Sequence, residues 1–85
     1  MSLQEQFEQA SVAVKGLTKK PSNEDLLKLY SLFKQATEGD VNIPKPGMFD
    51  MINRAKYDAW KSLEGKSSDE MKEAYVALVN RLLGA

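Results

Sequence analysis

The chain has 85 residues, with twelve basic and twelve acidic side chains, no cysteine and no histidine. That length allows one domain with a modest core, and the balanced charge argues against a nucleic-acid binder, which draws most of its affinity from neutralising phosphates. Without Cys or His there is no disulfide framework, no ordinary zinc site and no Ser-His or Cys-His nucleophile.

Leu3, Phe7, Ala10, Val14 and Leu17 recur at steps of four and three, which predicts a first helix to about Lys15, closed by Gly16. Met1 to Gln6 lacks the cationic-then-apolar order of a secretory signal, and no apolar stretch reaches the roughly 18 residues of a membrane span. A cytoplasmic protein with no transmembrane segment is therefore expected. Pro21 breaks the chain, and Ser22 followed by Glu24 and Asp25 marks the start of a second helix that runs to Thr37 or Glu38. The run from Gly39 to Gly47, with Pro44 and Pro46 inside it, reads as a long irregular loop. A third helix is expected from Met48 or Asp50 to Leu63, stopping at Gly65. Ser67 and Glu70 have the spacing of a capping box for a fourth helix, which carries Met71, Tyr75, Leu78 and Leu82 on one face. No alternating segment supports a strand, so the fold class is all-α, a four-helix domain over residues 1–85.

Two lysines fall on the wrong side of their helices. With Leu26 set at zero on a helical wheel, the apolar side chains of the second helix fill a broad arc, and Lys34 lies inside it at about 80°. Lys28 and Ser31 lie outside that arc. In the third helix Lys56 falls at about 140°, between Leu63 and Trp60, while Arg54 and Lys61 avoid the apolar side. A buried ammonium without a partner is costly, so each lysine must either snorkel to water at the core edge or meet an anion. Lys72 on the fourth helix shows the same pattern, but its first-turn position gives it easy access to water. Lys34 and Lys56 differ in their company: Tyr30 lies one turn before the first and Trp60 one turn after the second. Cations for a phosphate beside a ring for a base suit a nucleotide-like ligand. Equally, Tyr30, Phe33, Trp60 and Tyr75 can be plain core residues of a four-helix domain.

Little supports catalysis. The acidic doublets Glu24-Asp25 and Asp69-Glu70 open helices, where negative charge complements the dipole, and no Gly-rich phosphate loop is present. A binding protein, not an enzyme, is expected.

The run from Tyr30 through Lys34-Gln-Ala-Thr-Glu-Gly-Asp-Val-Asn42, followed by Pro46-Gly-Met48 and Asp50, resembles the signature of the acyl-CoA-binding protein family. Ala55-Lys-Tyr-Asp-Ala-Trp60, Leu63, Gly65, Ser67 and Tyr75 continue the match, so the resemblance covers essentially the whole chain. It implies an up-down-down-up four-helix bundle that binds medium- and long-chain fatty acyl-CoA as its ligand, without a cofactor or metal. It also implies a monomeric carrier that supplies enzymes using acyl-CoA. By matching position, Tyr30, Lys34 and Lys56 resemble the residues that hold the ribose 3′-phosphate, and Phe33 stands where an aromatic side chain packs on the adenine. The neighbours Ser31 and Leu32, together with Ile52 and Tyr75, are expected at the ligand as well. Lys15 and Lys20 match basic positions near the phosphates more loosely. Phe7, Val14, Leu17, Val76, Val79 and Leu82 match the core that joins the terminal helices.

Four positions depart from the family pattern. Phe33 keeps an aromatic face but lacks the usual hydroxyl, so stacking is retained and a hydrogen bond is not. Tyr57 replaces a tryptophan, and Ile52 stands where many relatives carry a lysine, removing one cationic contact. Met51 replaces a phenylalanine near the acyl groove; its adaptable shape is expected to tolerate a range of chain lengths.

Overall fold

A computed structural model of the chain describes residues 1–84 and contains four α-helices: α1 (Leu3–Ala13), α2 (Asn23–Glu38), α3 (Met51–Lys61) and α4 (Ser68–Gly84). A serine caps the start of α1, α2 and α4, whereas Asp50 before α3 makes no side-chain cap. Ser2 accepts from the Glu5 backbone N–H at 3.1 Å while its own N–H donates to Glu5 Oε1 at 3.2 Å, a complete capping box at the head of α1. The Ser22 hydroxyl accepts from the Asp25 N–H at 3.1 Å, and the Ser67 hydroxyl from the Glu70 N–H at 3.2 Å, as their spacing predicts.

The helix ends differ in detail from the sequence expectation. α1 stops at Ala13 and tightens into a 3₁₀ turn over Val14–Gly16, with the Leu17 N–H donating to the Val14 carbonyl. Gly16 does not act as a left-handed cap; the positive φ values among the described residues belong to Gly39 (79°) and Gly65 (86°). Of the two expected starts for α3 the later is nearer: Asp50 is the N-cap and the helix begins at Met51, while the Asp50 N–H bonds back to the Gly47 carbonyl and holds the stretch from Gly47 as a turn. It ends at Lys61, and further turns carry the chain to Gly65.

Side-chain pairings fix the direction of every helix. Arg81 Nη2 near the end of α4 lies 2.8 Å from Asp25 Oδ1 at the start of α2, while Ser68 Oγ at the start of α4 donates to the Ala36 carbonyl near the end of α2. Those two helices are therefore antiparallel. Lys56 reaches Tyr30 and Trp60 reaches Lys34, so α2 and α3 run in parallel. Phe7 meets Tyr75, and Gly16 and Leu17 share a surface groove with Leu82 and Leu83, so α1 and α4 are parallel too. The result is an up-down-down-up bundle in which α4 packs between α1 and α2, and α3 packs on the other flank of α2.

The Cα trace measures 39 × 28 × 15 Å. Packed helices sit about 8–10 Å apart, so the short dimension holds two layers and no more. Phe7, Ala10, Leu29, Ala36, Met71, Tyr75, Leu78 and Val79 form the buried cluster, with Val14, Val76 and Leu82 half-buried around it. The expected terminal-helix core is thus present except for Leu17, which lines a surface groove with Leu82 instead of joining the cluster. Burying each large member contributes on the order of 1.5–3 kcal/mol.

A polar knot closes the end of α2. The Gln35 side chain is 1% exposed, and its Nε2 donates to Asp40 Oδ1 at 2.9 Å and to the Lys66 carbonyl at 3.2 Å. The Gly65 N–H donates to the same Asp40 oxygen at 2.8 Å, and Trp60 Nε1 donates to the Gly39 carbonyl at 2.8 Å. The bond from Gly65, then that from Gln35, holds the Asp40 carboxyl below its ordinary pKa of 3.8. A carboxyl with a lowered folded pKa binds fewer protons folded than unfolded. Its contribution is complete above the unfolded value and is lost as pH falls through the folded one. Asp40→Ala is therefore expected to lower the urea midpoint at pH 7, and the deficit should narrow below about pH 4 as the wild-type carboxylate protonates too. Urea titrations at pH 7 and pH 3 measure both values; an equal deficit at the two would remove the carboxylate from the account.

Candidate functional site

Helix α2 presents different faces to its two neighbours, and the candidate site lies on the side toward α3. Tyr30, one turn before Lys34, is half-buried between the helices. Lys34 Nζ lies 5.9 Å from the Tyr30 ring centroid and 5.6 Å from that of Trp60, and Lys56 Nζ lies 5.4 Å from Tyr30. Two ammonium groups from two helices thus converge on one phenol ring, an arrangement favourable for the cations through the ring quadrupole. Trp60 is 1% exposed and held by its bond to Gly39, so it forms the floor under Lys34 and does not itself open to solvent.

Lys34 is also ion-paired. Its Nζ lies 2.7 Å from Glu38 Oε2, and this hydrogen bond raises the lysine pKa above 10.5 despite partial desolvation. Glu38 is lowered from 4.5 in return, by Lys34 first and then by Asn42. Among the described residues no carboxylate lies within ion-pair distance of Lys56.

From this cation pair a groove of about 570 Å³ opens between α2 and α3, lined by Leu26, Leu27 and Tyr30 on one side and Met51, Ile52 and Lys56 on the other. Lys20, from the segment before α2, stands at its edge. Met51 and Ile52 are 77% and 73% exposed and continue an exposed apolar run that begins at Met48 and Phe49. They mark the groove as an apolar trough open to solvent.

A second feature lies at the junction of three helices. Phe33 stacks on Phe7 with ring centroids 5.4 Å apart and an interplanar angle of 25°. Tyr75 meets Phe7 edge-on at 5.1 Å and Phe33 at 5.8 Å. Phe7 and Tyr75 are buried, but Phe33 is 37% exposed and offers part of its ring to solvent. Burial pushes the Tyr75 phenol above its usual pKa of 10.0, so it stays a neutral hydroxyl at physiological pH. Lys72 Nζ sits 5.9 Å from the Phe7 ring, on the same cluster.

The structure thus brings Lys20, Tyr30, Ile52 and Lys56 to one groove, sets Lys34 against the Tyr30 and Trp60 rings, and gathers Phe33 and Tyr75 into an aromatic cluster with Phe7. Ser31 points elsewhere: it is 5% exposed, and its hydroxyl donates to the Lys28 carbonyl at 3.2 Å. Leu32 packs against the core, and Lys15 is exposed on the 3₁₀ turn. Glu38 and Phe7 were not singled out from sequence as site residues. The four-residue spacing of Lys34 and Glu38 carried the signal for the first, whereas Phe7 looked like any other core position.

The acyl-CoA-binding protein family model (described as "Acyl CoA binding protein") matches residues 4–79. An acyl-CoA-binding protein of Brassica napus is 56% identical over 85 residues, covering 100% of this chain and 92% of that protein. An acyl-CoA-binding protein of Ricinus communis is 50% identical over 84 residues, covering 99% and 93%. The crystal structure of Oryza sativa acyl-CoA-binding protein 2 superposes with a TM-score of 0.91 at 47% identity, covering 98% of this chain and 92% of the other.

The geometry separates stability from site at two positions. Trp60→Phe keeps a ring under Lys34 but deletes the donor to Gly39, and is expected to destabilise the fold by about 1–3 kcal/mol. Lys56→Ala removes a cation whose partner is the half-buried Tyr30 ring, and is expected to stay within about 1 kcal/mol of wild type. Chemical denaturation of both variants checks the contrast; a larger loss for Lys56→Ala would make that lysine structural.

Proposed function

The chain belongs to the acyl-CoA-binding protein family, and from that premise we propose that the trough between α2 and α3 binds medium- and long-chain fatty acyl-CoA esters. The observation that carries this reading is the convergence of Lys34 and Lys56 on Tyr30 at the edge of an apolar groove. Two cations and a phenol suit the ribose 3′-phosphate of the coenzyme, because charge-assisted bonds to phosphate are the strong ones. The partly exposed Phe33 ring, fixed against Phe7 and Tyr75, suits the face of the adenine. Lys20 is placed at the groove for the remaining phosphates, and Lys15 is the looser candidate for the same role. Leu26, Leu27, Met51 and Ile52 supply an apolar bed for the acyl chain.

Nothing in this assignment makes or breaks a covalent bond. The protein holds the ester, shields its chain from water and releases it unchanged to acyl-CoA-using enzymes, acting as a monomeric carrier and pool former in the cytoplasm. Among the described residues no helix is long and apolar enough to cross a membrane.

Calorimetric titration with palmitoyl-CoA tests the binding directly. Each charge-assisted bond is worth about 1.5–3 kcal/mol, so Lys34→Ala and Lys56→Ala are each expected to weaken binding about tenfold to hundredfold. The 3′-dephospho analogue should lose at least about tenfold, and that loss should shrink in Lys34→Ala, since both changes remove one interaction. Strictly additive losses would place the phosphate away from Lys34.

Affinity should also climb with acyl length, by up to about 0.8 kcal/mol for each methylene that still finds groove. Beyond that length it should level off. Equal affinity for free CoA and palmitoyl-CoA would leave the trough without a role in binding.

A further inference from the structure

The two lysines of the cation pair do not meet a ligand in the same state. Lys56 has no carboxylate within ion-pair distance among the described residues, whereas Lys34 is already occupied. Glu38 Oε2 sits 2.7 Å from its ammonium, and Asn42 Nδ2, from the loop after α2, lies 3.5 Å from the other carboxylate oxygen. The side chains of Lys34 and Glu38 are 34% and 40% exposed, so the pair is open to an arriving anion.

A phosphate drawn to Lys34 therefore arrives beside a carboxylate. It must either displace Glu38, costing that bond, or share the ammonium and bear the repulsion of a second anion a few ångströms away. Either way the net gain from Lys34 is smaller than a bare ammonium would give. The reverse step is assisted for the same reason. Side chains at a surface reorient in picoseconds to nanoseconds, so Glu38 can retake the ammonium as soon as the phosphate lifts.

We propose that Glu38 is an internal competitor for Lys34, which weakens the hold on the ligand's phosphate and speeds its release. For a carrier that must unload, this is a specific device. The cation still attracts the ligand from solution, while the carboxylate beside it sets how long the ligand stays. The inference rests on the reading that Lys34 contacts the phosphate of the bound ester.

Glu38→Gln is the informative variant, because it removes the charge and the acceptor for Lys34 while the amide keeps one oxygen for Asn42. Calorimetry and stopped-flow release are to be measured for palmitoyl-CoA and its 3′-dephospho analogue, in wild type, Glu38→Gln, Lys34→Ala and the double variant. Glu38→Gln is expected to bind palmitoyl-CoA about three- to tenfold tighter, mostly through slower dissociation. The gain should be absent for the dephospho analogue and absent when Lys34 is also replaced. If Lys34→Ala weakens binding but Glu38→Gln leaves affinity unchanged or lowers it, the competitor role is overturned and Glu38 instead orients the lysine. If Lys34→Ala itself leaves affinity unchanged, the phosphate reading fails and this inference falls with it.

Discussion

A single carboxylate oxygen, Asp40 Oδ1, accepts from both the Gln35 amide and the Gly65 N–H, and so joins the end of α2 to the turn that leads into α4. Its neighbours complete the joint: Gln35 reaches the Lys66 carbonyl, Trp60 reaches the Gly39 carbonyl, and Ser68 reaches the Ala36 carbonyl. Each bond satisfies a backbone or side-chain group that helix ends leave orphaned. Together they determine where α3 lies against α2, because Trp60 is pinned to the residue that closes α2. Gly39 fits that role because its φ of 79° turns its carbonyl toward the indole, a conformation that a residue with a Cβ adopts only at a cost. With Trp60 fixed, Lys34 has a floor and Lys56 is delivered to Tyr30. The positions of the two cations are set by a knot that itself contains neither of them.

The thinness of the bundle explains why one helix carries both a buried face and an open one. In two layers, α2 has a neighbour on each flank and no third layer above it. Leu29 and Ala36 join the core with α4, while Leu26, Leu27 and Tyr30 line the open trough and Lys34 reaches Trp60 of α3. Apolar side chains that a third layer would cover remain exposed at the start of α3 and just before it, as at Met48, Phe49, Met51 and Ile52. A cation on an apolar arc is then no contradiction, because that arc faces a groove and not a sealed interior.

Much of this arrangement was legible in the amino acids. Helical spacing and Ser22, Gly39, Gly65 and Ser67 located four helices, and the wheel placed Lys34 and Lys56 on their apolar sides, where the structure has them. Helix ends were less legible, because the 3₁₀ turn after Ala13 and the turn at Gly47 depend on hydrogen bonds that composition does not encode. The capping box of Ser2 and Glu5 was visible in the spacing and went unused. Gln35 and Ser31 were out of reach for a firmer reason. A polar side chain on a wheel looks outward, yet both are buried, Gln35 because its amide finds partners brought from the far side of the chain. Hydrogen bonding between distant segments decides such positions, and one-dimensional periodicity does not record it.

The clustered rings of Phe7, Phe33 and Tyr75 come from α1, α2 and α4, so the partly exposed Phe33 is backed from opposite parts of the sequence. Contacts of such long separation form only after the intervening chain has closed into a loop. During synthesis, a nascent chain carrying the whole of α2 and α3 already contains Tyr30, Lys34 and Lys56, but its aromatic platform lacks Tyr75 until α4 clears the ribosome. Until then the Phe33 ring has only Phe7 to rest on, so its packing is among the last features of the molecule to be completed.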